Sequence, residues 1–196
     1  MIEGYEKYLD KIGEHLQKFF AQQKPYIFCK EGCSFCCEFG EYPFSEVEFQ
    51  YAMKGYDTLS EKEKNIIQKK IEKIKKEKEK TATKEFMHEC PFLIDKKCSI
   101  YKYRGIICRT HGLLFFTVDK NGESKNKVPK CVHLGLNYSS VYDEAKGIIS
   151  SELWRKSGIK TEPVAYNIGR KTLLNNNIAK EFGLDFGEEK ALIDWF

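Results

Sequence analysis

No stretch of this 196-residue chain is apolar for long enough to cross a bilayer. Nor does the segment from Met1 to Lys7 offer the basic region, apolar run and small-residue cleavage site of an export leader. A cytoplasmic protein with no membrane partner is therefore expected. The chain has no glycine-rich cofactor loop, no pair of carboxylates in a recognisable frame and no nucleophile–base motif, so nothing argues positively for catalysis. Internal repeats, an alternating βα series and a flexible linker are all missing, which leaves one domain over residues 1–196 as the expectation. Arginine is scarce, with four in all. The net charge of +4 equals the surplus of nine lysines over five glutamates between Ser60 and Lys80, so the rest of the chain is formally neutral. No aromatic residue interleaves with those lysines from 62 to 80, and nucleic acid is an unlikely partner on that pattern.

What the chain does have is cysteine. Cys29, Cys33, Cys36 and Cys37 fall within nine residues, and Cys90, Cys98, Cys108 and Cys131 follow singly. Thiolates are soft, negatively charged ligands, and four of them close a tetrahedron around zinc or hold an iron–sulfur cluster. Disulfides belong to oxidising compartments, and buried thiols can serve as small hydrophobes; in a cytosolic chain, clustered cysteines point to metal. Neighbouring side chains such as Cys36 and Cys37 tend to diverge. The knot then forms one edge of a metal site to which the fold returns the later cysteines, and all eight are candidate ligands. Gly32 allows the tight turn that such a knot needs.

Around the cysteines, the periodicity is helical. Tyr5, Tyr8, Leu9, Ile12, Leu16, Phe19 and Phe20 describe one face of a helix closed by Pro25, with His15 at its edge. Ser45-Glu-Val-Glu48 and Ser60-Glu-Lys-Glu63 each fit a capping box. The first helix should stop at Gly55; the second, over about 60–80, carries Ile67, Ile71 and Ile74 on a narrow stripe and is expected to protrude as a solvated helix. Strand signals are confined to 90–130: a short hairpin about Asp95-Lys-Lys97, then Leu113–Val118 turning at Asp119–Gly122. From 138 to 196 the chain reads as helical, with Val141, Ala145, Ile148 and Ile149 on one face and a second helix over Lys171–Phe182. The fold class expected is mainly α with short β-hairpins, an irregular α+β arrangement built around a cysteine metal cluster.

Cys29-x-x-Gly-Cys33-x-x-Cys36-Cys37, Cys90-Pro-Phe-Leu93, Cys98-Ser-Ile-Tyr101 and Arg104-Gly-x-x-Cys108-Arg109 together resemble the zinc- or iron-chelating cysteine-cluster family, whose relatives include a domain of flagellin lysine N-methylases. The resemblance covers about residues 28–135, and Cys131 fits a lone cysteine found beyond the Cys-Arg pair in that family. It departs from the pattern at Gly105, where the family usually has proline. A cysteine-cluster core over 28–135 follows from it.

The metal stays open between zinc and iron. Thiolate count, and Cys90 and Cys98 flanking a short turn, argue for zinc, although no paired Cys-x-x-Cys…Cys-x-x-Cys is present. The spacing Cys29-x-x-x-Cys33-x-Phe35-Cys36 resembles that with which radical S-adenosylmethionine enzymes hold an iron–sulfur cubane, but the βα pattern of those enzymes is missing. Three of the four histidines, His88, His111 and His133, lie within three residues of a cysteine, and His111 leads as a non-cysteine ligand. Arg104 and Arg109 could donate to sulfur and offset excess thiolate charge; ordinary surface pairing is their alternative. Two functional classes follow: a metal-binding module, including a structural zinc module that mediates protein interaction, or an iron–sulfur enzyme of the protein lysine N-methylase type.

Overall fold

The computed structural model describes residues 1–29, 32–81, 86–119 and 121–196. Lys30 and Glu31 of the cysteine knot and Lys120 of the Asp119–Gly122 turn lie outside the described residues. Eight helices occur among the described residues: α1 (Ile2–Gln22), α2 (Phe35–Glu38), α3 (Glu46–Asp57), α4 (Glu61–Glu79), α5 (Ile106–Thr110), α6 (Ser151–Ser157), α7 (Arg170–Leu174) and α8 (Asn177–Glu181). The strands are short and pair only in antiparallel twos. They are β1 (Pro43–Ser45) with β8 (Glu189–Ala191), β2 (Leu93–Ile94) with β3 (Lys97–Cys98), β4 (Phe115–Val118) with β5 (Ser124–Lys127), and β6 (Tyr142–Asp143) with β7 (Ile148–Ile149). The fold is thus the mainly helical, irregular α+β type expected. Its backbone gathers into two compact units, one of Met1–Tyr5, Gly32–Arg109 and Leu184–Phe196, the other of Glu6–Glu31 and Thr110–Gly183.

In the first unit both capping boxes form: the Ser45 and Ser60 amides donate to Glu48 and Glu63 at 2.8 and 2.9 Å. Helix α3 does not stop at Gly55 but runs through it to Asp57. The glycine serves packing instead, because a Cβ there would come within 2.6 Å of the Tyr103 ring. The turn between β2 and β3 has left-handed backbone at both Asp95 (φ 48°) and Lys96 (φ 62°), the geometry that matches the twist of a two-residue hairpin. Glu188–Phe196 is not a helix: β8 pairs with β1, and a single 3-10 turn then buries Leu192 and Ile193.

The lysine-rich helix α4 commits its narrow stripe to this unit's core. Ile67, Ile71 and Ile74 are 0, 3 and 5 % exposed and pack in one cluster with Cys90, Phe92 and Ile100. Its lysines reach outward from that anchor: Lys70 pairs with Glu89 and the Leu93 carbonyl, Lys75 with the Phe196 carbonyl, and Lys78 with Asp194 at 2.6 Å. Ile71→Ala is therefore expected to cost about 2–5 kcal/mol, read as a lowered urea midpoint. A solvated arm would tolerate the change with no shift.

In the second unit, Tyr8, Leu9, Ile12 and Leu16 of α1 are buried as the periodicity predicts, and His15 is exposed. The Tyr8 hydroxyl donates to the Leu173 carbonyl at 2.6 Å, and Tyr26 stacks on Tyr138 with ring centroids 5.3 Å apart. Two helices expected here do not form. Residues 142–149 make the β6–β7 hairpin, because Asp143 accepts the Lys146 and Gly147 amides and Gly147 takes φ 67°, so turn chemistry outweighs a helical stripe. The Lys171–Phe182 segment splits at Asn175 and Asn176. Asn176 caps α8 by accepting the Ala179 amide at 2.8 Å, a local bond that competes with helix continuation.

Candidate metal centre

Backbone bonds bring three cysteine-bearing stretches of the first unit together. The Cys90 amide donates to the Cys37 carbonyl at 2.8 Å, and nearby, three residues after Cys37 and two before Cys90, Gly40 and His88 exchange both bonds at 3.0 Å as an isolated antiparallel bridge. Cys37 sits on the one-turn helix α2, whose Ser34 carbonyl accepts the Cys37 and Glu38 amides. Glu38 in turn pairs at 2.6 Å with Lys96 of the β2–β3 turn, the hairpin whose second strand ends in Cys98 opposite Leu93. A fourth stretch, α5 with Cys108, is clipped in place by Glu48. That side chain is 0 % exposed, takes the Ser45 amide and hydroxyl on one oxygen at 2.8 Å each, and takes the Ile106 amide on the other at 2.8 Å.

The thiols delivered by these four stretches sense one another. A hydrogen bond with Cys37, followed by burial, pushes the Cys36 pKa well up. Burial leads for the others: it pushes Cys90 well up and Cys98 up, and Cys108 is pushed up to about 12, with Cys98 and Cys36 adding to the rise. Cys37, Cys98 and Cys108 pack against the apolar cluster that contains Cys90. The Tyr42 phenol belongs to the same cluster, its pKa raised by burial and then by Cys90, Cys37, Cys108 and Cys36. Arg104 works in the opposite sense, its charge favouring the thiolates of Cys36, Cys98 and Cys108. Its guanidinium lies 3.8 Å from the centroid of the Tyr101 ring, and its buried Nε has no hydrogen-bond partner among the described residues.

The other sequence-predicted residues are placed as follows. Arg109 spends its guanidinium on the carbonyls of Arg104 at 3.1 Å and Lys102 at 2.7 Å, bracing the loop that carries Arg104. Cys33 is exposed on the bend before α2. Cys29 and Cys131 belong to the second unit, where Cys29 accepts a bond from Asn137 at 3.2 Å and Cys131 is 5 % exposed. The buried Asn137 also takes the Phe28 amide at 2.8 Å and gives a bond to the Gly112 carbonyl at 2.9 Å, so it seats Cys29 against Gly112. His111 is in that unit too, with its buried Nε2 lacking a hydrogen-bond partner among the described residues and its basicity lowered by burial and then by Lys130. His88 turns Nδ1 to the Glu89 carbonyl at 2.8 Å, and His133 pairs with Glu144 at 2.9 Å on the surface.

Two residues of the centre escaped sequence reasoning. Glu48 was visible only as a capping-box member; its bond to Ile106, 58 positions away, has no local signal. Tyr42 has no motif at all. Gly105, the departure from the family pattern, is explained by packing: a Cβ there would lie 2.8 Å from Phe44 Cζ and 3.1 Å from Glu48 Oε1. The proline usual at that place would collide with both. Gly105→Pro is expected to cost about 1–3 kcal/mol through overpacking, seen as a lower urea midpoint with unchanged slope. An unchanged midpoint would mean that Phe44 yields freely.

No three His, Cys, Asp or Glu side chains among the described residues stand in ready metal-binding geometry. All eight cysteines are thiols. The donor set of the first unit nevertheless suits a thiophilic ion. Four thiols, Cys37, Cys90, Cys98 and Cys108, pack in or against one apolar cluster; burial and neighbouring thiols make Cys36, Cys90, Cys98 and Cys108 reluctant to ionise, and a cation that replaces their protons relieves both penalties. Cys36, Cys37, Cys90, Cys98 and Cys108 would hold it, and Arg104 would offset the excess thiolate charge.

A family model, described as "CxxCxxCC: Putative zinc- or iron-chelating domain", matches residues 28–132, more than half of the chain. No curated protein and no solved structure matches it.

Proposed function

The chain belongs to the CxxCxxCC family of zinc- or iron-chelating domains, and from that premise we propose that it is a cytoplasmic metal-binding module whose centre is built by Cys36, Cys37, Cys90, Cys98 and Cys108. Four of these thiolates suffice for a tetrahedral zinc or iron ion, and the fifth leaves a ligand to exchange during loading or release. The observation that carries this reading is that the half-buried Cys37, Cys98 and Cys108, from three separate stretches, pack with buried Cys90 in one apolar cluster, with Arg104 the cation beside them. Isolated cysteines that merely fill a core have no reason to meet there. Cys33, and Cys29 with Cys131 in the second unit, are thiols outside this centre, available for additional metal.

Metal uptake by such a centre exchanges protons for the ion, because thiols whose pKa is raised are S–H before the ion binds and thiolate once it is bound. Binding should therefore tighten as pH rises through neutrality. The deciding experiment is an inventory of zinc, iron and acid-labile sulfide after anaerobic purification, repeated for Cys90→Ser. Stoichiometric zinc or iron that Cys90→Ser loses supports the reading, and labile sulfide would specify an iron–sulfur cluster. Protein that holds neither metal, or a Cys90→Ser variant that keeps its metal, would overturn it.

A further inference from the structure

Tyr42 is held in the first unit at a cost. Its φ is 55°, a left-handed setting that a bulky residue adopts for about 1–3 kcal/mol, and it stands in no hairpin turn. The backbone on both sides of it is occupied: its carbonyl accepts the Leu192 amide at 2.8 Å, and β1 begins at Pro43. This conformation lays the ring flat over Gly40, so closely that a Cβ on Gly40 would come 2.7 Å from the Tyr42 Cε1 and Cζ atoms. The ring meets His88 edge-on with centroids 5.3 Å apart. It therefore lies beside the isolated bridge between Gly40 and His88, next to the bond from the Cys90 amide to the Cys37 carbonyl.

The hydroxyl at the end of this ring is poorly employed. It donates to the His88 carbonyl at 3.2 Å, long for an O–H···O bond, and that carbonyl already accepts the Gly40 amide at 3.0 Å. A phenol in that state turns readily to a better acceptor, and a charged acceptor forms a bond about twice as strong as a neutral one. Metal binding creates such acceptors, since it converts the neighbouring thiols to thiolates.

We propose that Tyr42 is a positioning residue of the metal centre: once metal is bound, its hydroxyl turns from the His88 carbonyl and donates a hydrogen bond to a metal-bound sulfur on the Cys37–Cys90 side. This rests on the thiolate centre proposed above and goes further, by assigning the outer-layer donor that sets how strongly one sulfur binds. A phenol is protonated at neutral pH, so it acts as a donor there. A hydrogen bond to a metal-bound sulfur withdraws electron density from it, which lowers its donation to the metal and its attack on electrophiles. The strained backbone is then explained as the means by which the ring reaches over Gly40 to that sulfur.

The test uses cobalt(II) as the probe, added anaerobically to the reduced full chain. Wild type should show a thiolate-to-cobalt charge-transfer band. Tyr42→Phe should bind the same amount of cobalt with the band moved to lower energy and with several-fold faster alkylation of the bound sulfurs by iodoacetamide. Installing 3-fluorotyrosine at position 42, a stronger donor of the same shape, should move the band the opposite way, and it decides the matter should Tyr42→Phe not fold. A band that stays in place in both variants would overturn the role of Tyr42 and leave the centre standing. A wild-type protein without any such band would overturn the thiolate centre and this role with it.

Discussion

Replacing Cys108 by serine is expected to abolish metal binding by the first unit. The thiol is half-buried on α5, and its pKa is pushed up to about 12 because burial, then Cys98 and Cys36, oppose its charge. In the metal-free protein it is a neutral group in an apolar setting. It becomes a thiolate only when a cation takes the place of its proton, and a serine hydroxyl cannot follow because it is far less acidic and a poor partner for a soft ion. Even changes to residues that only support a ligand cost about 10–100-fold in metal affinity, so loss of a ligand should exceed that.

The thermal consequence discriminates further. Apparent zinc-binding energies of roughly 10–16 kcal/mol rival a whole domain's stability of about 5–15 kcal/mol, so metal-loaded wild type should melt well above Cys108→Ser. With a chelator under reducing conditions the two should melt together, because the substitution changes little volume. A cooperative transition should persist, since the Cys37–Cys90 and Gly40–His88 bonds and the Glu48 clip tie the cysteine-bearing stretches without metal. Metal content by emission spectroscopy, with melting curves in both conditions, checks this. Full metal content in Cys108→Ser would remove that residue from the ligand set.

Glu48→Ala is expected to be the most damaging single change away from the cysteines. The carboxylate is wholly buried and holds three donors from two places, the Ser45 amide and hydroxyl and the Ile106 amide. Its loss leaves those donors unpaired in a dry site and frees the start of α5, so about 3–5 kcal/mol should disappear. For a chain of this length that corresponds to a fall in melting temperature on the order of 10 °C. Metal affinity should fall with it, because Cys108 sits two residues beyond Ile106. Ser60→Ala removes the equivalent cap at the exposed start of α4 and should cost only about 1 kcal/mol. Equal losses for the two variants would show that the bond to Ile106 contributes nothing.

Helices with strong local signals were legible in the sequence. The stripe of α1, both capping boxes and the Asp95–Lys96 hairpin follow from spacing and residue type alone, because each depends on neighbours within one or two turns. Gly55 misled for a tertiary reason: a glycine in a helix reads as a stop, but here Tyr103 needs the space. Residues 141–149 misled for a local one, since Asp143 and Gly147 prefer a turn to continuing a helical stripe.

The same division runs through the metal centre. Eight cysteines in the order of the family motif determined by themselves that this is a chelating domain, because thiolate chemistry is a property of residue type and the spacing is specific. Which cysteine-bearing stretches come together was decided only in three dimensions. Cys37 reaches Cys90 through backbone bonds formed across more than fifty residues, and Cys108 reaches them because Glu48 closes a gap of similar length. Long-range pairing of this kind depends on the shape of the packed core, where Ile67, Ile71 and Ile74 of α4 fill the space beside Cys90. No local pattern of residues carries that information, and for the same reason Tyr42 and Glu48 take their places in the centre without any mark in the sequence around them.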